Sequence, residues 1–140
     1  MNYNFIDFKD QVCLITGAGS PTGIGFCTAK IMGQLGGKIA IVATTERIHE
    51  RAAELEAMGI TAKGYVADLM DREQVKNLIK SVADDLGAPS VLITRTTPRL
   101  PRHRGDEGLR LLHGLEANLA TSLQTPQVKC FFIYVHCLFS

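Results

Sequence analysis

Residues 16 to 25 read Thr16-Gly17-Ala18-Gly19-Ser20-Pro21-Thr22-Gly23-Ile24-Gly25. Just before them, Val12 to Ile15 is an unbroken apolar run, the pattern of a strand buried on both faces. Just after them, Ile24, Cys27, Ile31 and Leu35 recur at helical spacing until Gly36-Gly37. A glycine-rich turn between a strand and a helix has a physical use. One glycine lets the chain leave the strand sharply, another lets backbone approach a pyrophosphate, and a third lets the helix pack closely on the sheet. The helix start then offers free N–H groups and the positive end of its dipole to an anion. In this context the string is a dinucleotide-binding signature; outside it, it would be a structural turn.

The same alternation continues along the chain. Ile39 to Ala43 predicts a second buried strand. Glu46 to Met58 predicts a helix with Ile48, Ala52 and Leu55 inward and Gly59 as its stop. Ile60 to Val66 predicts a third strand. Asp71 is placed to cap a third helix, whose stripe is Val75, Leu78, Ile79, Val82 and Leu86 before Gly87-Ala88-Pro89. Ser90 to Ile93 predicts a fourth strand. Strands alternating with amphipathic helices at this spacing imply βαβ units. The expected fold is therefore α/β, a three-layer Rossmann-type, doubly wound parallel sheet, present as a truncated, N-terminal part.

Residues 1–93 form that part of a dinucleotide-binding domain, and residues 94–140 continue it atypically, within the same domain or partly disordered. From Thr94 to Arg104 the text is rich in arginine and carries two prolines. Leu112, Leu115, Leu119 and Leu123 suggest one helix, closed by Thr125-Pro126. Val128 to Phe139 is dense in aromatic and β-branched residues and favours a strand. That segment either pairs with the sheet edge or forms a partner-binding or aggregation-prone strand.

Bulk properties narrow the function classes. With 140 residues and a formal net charge of +1, the chain fits one domain with no global attraction to nucleic acid or anionic membranes. The basic stretch from Arg95 to Arg110 is interrupted by Asp106 and Glu107 and lacks aromatic residues for base stacking, so a solvated loop is expected rather than a nucleic-acid patch. Cys13, Cys27, Cys130 and Cys137 form no C-x-x-C pair and no ligand spacing with the histidines, so no metal site is expected. Reduced thiols and the lack of a signal-like leader fit a cytoplasmic protein. The apolar run Cys130 to Phe139 is about half of what a membrane-crossing helix needs.

On these motifs the chain resembles the short-chain dehydrogenase/reductase family over residues 8 to 93. The family's first loop typically reads T-G-x-x-x-G-x-G, and Gly17, Gly23 and Gly25 look like its three glycines. The gap between the first two is longer than usual and holds Gly19, Ser20, Pro21 and Thr22, somewhat like the looser loop of the enoyl-reductase branch. The resemblance implies that Gly17, Gly19, Ser20, Thr22, Gly23, Ile24 and Gly25 surround the cofactor phosphates. It also implies that Asp68-Leu69, after the third strand, contacts the adenine, with a polar turn as the alternative reading. At the end of the second strand an acid would bind a ribose 2′-OH and repel a 2′-phosphate. That place holds Ala43, Thr44 and Thr45, with Arg47 beyond, a set that suits a phosphate. NADP(H) is favoured and NAD(H) possible, Glu46 being the counter-argument. Arg47 could equally be an exposed helix charge.

The resemblance further implies an oxidoreductase moving hydride between nicotinamide and a carbonyl or alcohol, near the 3-oxoacyl-carrier-protein reductases, and homo-oligomers in a full-length form. Catalysis in the family needs a Tyr-x-x-x-Lys pair, an upstream Ser and an assisting Asn. Tyr3, Tyr65 and Tyr134 are not followed four positions later by lysine. After Ile93 the family's N-N-A-G is replaced by Thr94-Arg95-Thr96-Thr97-Pro98-Arg99. Asn118 is the one candidate for the assisting Asn, a helix-surface asparagine being the alternative. The expectation is a truncated, catalytically impaired oxidoreductase segment, a disturbed reading frame or splice product explaining the change of texture. The alternative is a non-catalytic dinucleotide-binding or protein-interaction module.

Overall fold

The computed structural model describes residues 7–93 in full and the backbone of residues 94 and 129–132. Five strands, β1 (Val12–Thr16), β2 (Lys38–Ala43), β3 (Ala62–Val66), β4 (Val91–Thr94) and β5 (Lys129–Phe132), lie in the order β3-β2-β1-β4-β5. Every pairing is parallel. Helices α1 (Ile24–Gln34), α2 (Arg47–Ala57) and α3 (Arg72–Asp85) connect the first four strands. The helical stops at Gly36, Gly59 and Gly87 fall where the sequence predicts them, each at positive φ.

Side chains alternate across the sheet, as the pleat requires. Cys13, Ile15, Ile39, Ile41, Val91 and Ile93 pack with Phe26, Ala29 and Met32 of α1 and with Ile48, Ala52 and Leu55 of α2. Val12, Leu14, Ala40, Val42 and Leu92 pack with Val75, Leu78, Ile79 and Val82 of α3. Two helices on one face and one on the other make the three-layer, doubly wound α/β arrangement. Burial on both faces explains why β1 and β2 read as continuous apolar runs.

The apolar residues that mark α1 by their spacing are not its buried face: Ile24 is 39% and Ile31 53% exposed, and Cys27 is exposed as well. The buried residues of α1 are Gly25, Phe26, Ala29 and Met32. Both sets have helical spacing, so periodicity alone does not choose between them. The close approach of Gly25 to Gly17, described below, fixes the rotation and sends Ile24 and Ile31 outward.

The apolar run at Cys130 takes the first of its two predicted forms over Lys129–Phe132, where it joins β4 in parallel with Thr94 opposite Phe132. The helix predicted around Leu112 to Leu123, the arginine-rich stretch and Asn118 lie outside the described residues. Among the described residues no helix is long and apolar enough to cross a membrane, and no group of His, Cys, Asp and Glu could hold a metal ion.

Candidate dinucleotide site

The chain moves from β1 outward to β2 and β3, then returns across the sheet to β4 and β5. Connections therefore diverge at the carboxyl ends of β1 and β4, the point where such sheets open a crevice. The register brings the strand ends together there: Thr16 lies opposite Val42, Ala43 opposite Val66, and Ile15 opposite Ile93.

Residues 16–25 form the strand–turn–helix junction the sequence predicts. Gly17 leaves β1 at φ 68°, a left-handed conformation that L side chains rarely adopt. Its amide donates to Val42 O at 3.0 Å, and the Ala18 amide donates to the same oxygen at 3.4 Å. Gly19 passes over the end of β2, where a Cβ would lie 3.2 Å from the Ala43 Cβ. Ser20, Pro21 and Thr22 are exposed, and the turn closes with Gly23 N donating to Ser20 O at 3.1 Å. A Cβ on Gly25 would sit 2.8 Å from Gly17 O and 3.2 Å from Ala18 Cα, so only glycine lets α1 lie this close to the loop.

The helix that opens here is uncapped. Gly23 supplies no side-chain bond, and the first turn holds no acid. Cys27 N donates to Gly23 O at 3.0 Å, so the amides before it, on Ile24, Gly25 and Phe26, are the free donors every helix start carries. Uncapped amides at the positive end of a helix favour a negatively charged group.

The second predicted cluster sits at the end of β2. Thr44 and Thr45 are exposed, and Thr45 O accepts from Ile48 N at 3.2 Å as α2 begins. Arg47 is exposed and makes no ion pair among the described residues. Glu46 is turned to His49, with 3.2 Å between its Oε2 and the imidazole Nε2.

The third cluster follows β3. Asp68 is exposed, and its Oδ1 accepts from Met70 N at 2.9 Å, while its own amide donates to Gln74 Oε1 at 2.8 Å. Leu69 packs against the α3-side core. Asp71 caps α3 through Glu73 N and Gln74 N, and Gln74 Nε2 donates back to it at 3.2 Å. Those bonds, the Gln74 side chain first, hold the Asp71 carboxyl below its ordinary value. Gln74 therefore fixes both the cap and the Asp68 turn. Its spacing from Asp71, Asp71-x-x-Gln74, has the form of a capping box and is the signal that could have marked it.

The three clusters thus share one edge of the sheet, but Asp68 has one carboxylate oxygen engaged within its own turn. Tyr65, Lys63 and Cys13 are engaged or buried away from these clusters. The Tyr65 hydroxyl donates to Asp85 Oδ2 at 2.9 Å, and burial together with that carboxylate pushes the phenol well above its usual range, so it stays protonated. Lys63 Nζ lies 2.7 Å from the same Asp85 oxygen. Burial pushes the Cys13 thiol up to about 11, which leaves it an unreactive core residue.

Known proteins are similar to this chain in sequence and in fold. A C alpha-dehydrogenase from Sphingobium sp. is 43% identical over 91 residues, covering 64% of this chain and 29% of that protein. An NADP-dependent mannitol dehydrogenase from Aureobasidium melanogenum is 33% identical over 87 residues, covering 60% and 33%. The apo structure of LigD from Sphingobium sp. strain SYK-6 superposes with a TM-score of 0.67 at 32% identity, covering 84% of this chain and 55% of that one. A 2-keto-3-deoxy-D-gluconate dehydrogenase from Streptococcus agalactiae shares the fold, with a TM-score of 0.73 at 21% identity and coverage of 92% and 53%. The chain thus spans about a third of the length of these curated relatives and about half of these solved structures. Residues 11–101 match the sequence pattern of the short chain dehydrogenases, and on that match the chain belongs to the short chain dehydrogenase family.

Proposed function

We propose that this chain is the NADP(H)-binding segment of an oxidoreductase that moves hydride between a nicotinamide and a carbonyl or alcohol. The observation that carries the reading is the junction at Gly25, where backbone packs on backbone and an uncapped helix start lies at the sheet's switch point. In this reading Gly17, Gly19, Ser20, Thr22, Gly23, Ile24 and Gly25 surround the pyrophosphate. Thr44, Thr45 and Arg47 receive the ribose 2′-phosphate, and Asp68 offers its second carboxylate oxygen to the adenine amine, with Leu69 beside it. The bound cofactor would supply the hydride; the residues here bind and orient it.

Support for NADP(H) over NAD(H) comes from the exposed Arg47 guanidinium and from Glu46 being engaged by His49 rather than by the loop. The mannitol dehydrogenase relative is itself described as NADP-dependent. The proton-handling half of the chemistry is a different matter. No tyrosine in these 140 residues is followed four positions later by lysine. A phenol exchanges a proton with substrate oxygen more readily when a cationic neighbour lowers its pKa toward neutrality. In this reading these 140 residues carry cofactor binding without that pair, and the arginine-rich text after Ile93 stands where small residues would let a nucleotide approach. The reductase subtype acting on 3-oxoacyl carrier proteins belongs to the same proposal.

Fluorescence titration with NADPH, paired with a carbonyl-reduction assay, tests this. Weak, saturable binding without turnover is expected. Replacing Arg47 by Ala is expected to weaken NADP+ binding about tenfold relative to NAD+, the worth of one bond to a charged group at roughly 1.5 kcal/mol. Cofactor-dependent turnover by this chain, or equal loss for both cofactors in the variant, would refute the respective part.

A further inference from the structure

Between β3 and α3 the chain runs through residues 67–71. The ladder to β2 ends at Ala67, whose amide donates to Ala43 O at 3.0 Å. Asp68 comes next, and two of its bonds are local. Its carbonyl accepts from Asp71 N at 3.1 Å, and its Oδ1 accepts from Met70 N at 2.9 Å. Bonds between near neighbours hold the shape of a turn, not its place on the sheet edge. The bond from the Asp68 amide is of another kind. It donates to Gln74 Oε1 at 2.8 Å, six positions along and inside α3.

Gln74 is itself firmly seated. Its side-chain Nε2 donates to Asp71 Oδ2 at 3.2 Å, and its backbone amide donates to Asp71 Oδ1 at 3.4 Å. Val75, the next residue, is fully buried against the sheet with Leu78, Ile79 and Val82. The side-chain amide therefore ties a turn to an anchored helix, its nitrogen on the cap and its oxygen on Asp68. Asp68 is held twice, at its amide by Gln74 and at Oδ1 by Met70. An acceptor ordered in advance loses less freedom when it meets a donor.

We propose that Gln74 is a positioning residue, aiming the Asp68 carboxylate through the Asp68 amide and so setting how strongly the chain prefers a base with an exocyclic amine to one with a carbonyl in its place. This rests on the assignment of Asp68 to the adenine. Gln74 acts through Asp68 rather than on the cofactor. An ionised carboxylate only accepts, so it bonds the amine and repels a carbonyl oxygen. The choice of base thus reads the aim of Asp68, separately from the overall strength of binding.

Calorimetric titration of the 140-residue chain with NADP+ and with its hypoxanthine analogue, in which a carbonyl replaces the adenine amine, gives the ratio of the two affinities. Wild type is expected to favour NADP+ about tenfold, the worth of one bond to a charged group. Asp68→Ala should abolish that preference. Gln74→Ala is expected to cut it about three- to tenfold with Asp68 still in place, the cost of ordering one side chain on binding. Gln74→Glu keeps an acceptor for the Asp68 amide but cannot donate to Asp71, and is expected to retain the preference. Both Gln74 variants lose the bond to Asp71, so a role confined to capping α3 would affect them alike. It would also lower both affinities together and leave the ratio unmoved. An unchanged ratio in Gln74→Ala, or an equal loss in Gln74→Ala and Gln74→Glu, overturns the positioning role, and the adenine assignment survives either result if Asp68→Ala loses the preference. A wild-type chain without preference, an Asp68→Ala variant that keeps it, or a chain that binds neither nucleotide overturns both.

Discussion

At Gly25 one methyl group would decide whether the junction closes. The Cβ of any other residue would sit 2.8 Å from a backbone oxygen of the loop and 3.2 Å from a backbone carbon, neither of which can swing aside as a side-chain tip could. Gly25→Ala is therefore expected to push α1 off the sheet. Overpacking of this kind costs about 1–3 kcal/mol, so urea unfolding should show a lower midpoint with an unchanged slope. NADPH affinity should fall with it, because the same displacement tilts the free amides away from the crevice. Unchanged stability together with unchanged affinity would mean that the contact between Gly25 and Gly17 is not what seats the helix.

That contact also explains what could and could not be read from sequence at the scale of elements. Buried parallel strands announce themselves: Val12 to Ile15 and Ile39 to Ala43 are apolar without interruption because helices cover both faces. The inward faces of α2 and α3 are equally plain, since Ile48-Ala52-Leu55 and Val75-Leu78-Ile79-Val82 have charged residues on every other side. Helix α1 is apolar over too wide an arc for that. Two stripes fit it, and the choice depends on a long-range fact, that a glycine and Ala29 must face the sheet for the loop to close. Ala29, fully buried, is expected to reject Leu at about 1–3 kcal/mol, whereas Ile31→Lys, at an exposed position, should stay within about 0.5 kcal/mol of wild type. Chemical unfolding of the two variants checks this, and the reverse order would restore the stripe that the sequence suggests. At the site, residue types and spacing placed the glycines, Thr44, Thr45, Arg47, Asp68 and Leu69 along one sheet edge. The turning of Glu46 toward His49, and of Gln74 toward both Asp68 and Asp71, depends on side-chain orientation that spacing does not encode.

For the whole molecule, two exposed carboxylates tie stability to pH. Hydrogen bonds from the Gln74 side chain and the α3 amides hold Asp71 low, and the Lys63 ammonium and Tyr65 hydroxyl do the same for Asp85. A carboxyl held below its ordinary value contributes stability that is complete above that value, 3.8 here, and is lost as pH falls through the lowered one. Asp71→Asn keeps a capping side chain and removes only the charge. Combined with Asp85→Asn, it should leave the protein less stable than wild type at neutral pH, with the gap closing as pH drops below 3.8. Urea midpoints across that range measure it, and a gap that stays constant would show that these carboxylates titrate as they do in the unfolded chain.

Where a dinucleotide touches this chain decides whether the glycine-rich junction is its binding site. Amide chemical shifts followed by nitrogen–proton NMR during titration with NADP+ locate that contact residue by residue. The largest changes are expected at Gly19 to Phe26, with a second set at Thr44 to Arg47 that is weaker when NAD+ replaces NADP+. Saturable binding that leaves the amides of Ile24, Gly25 and Phe26 unmoved would contradict the account.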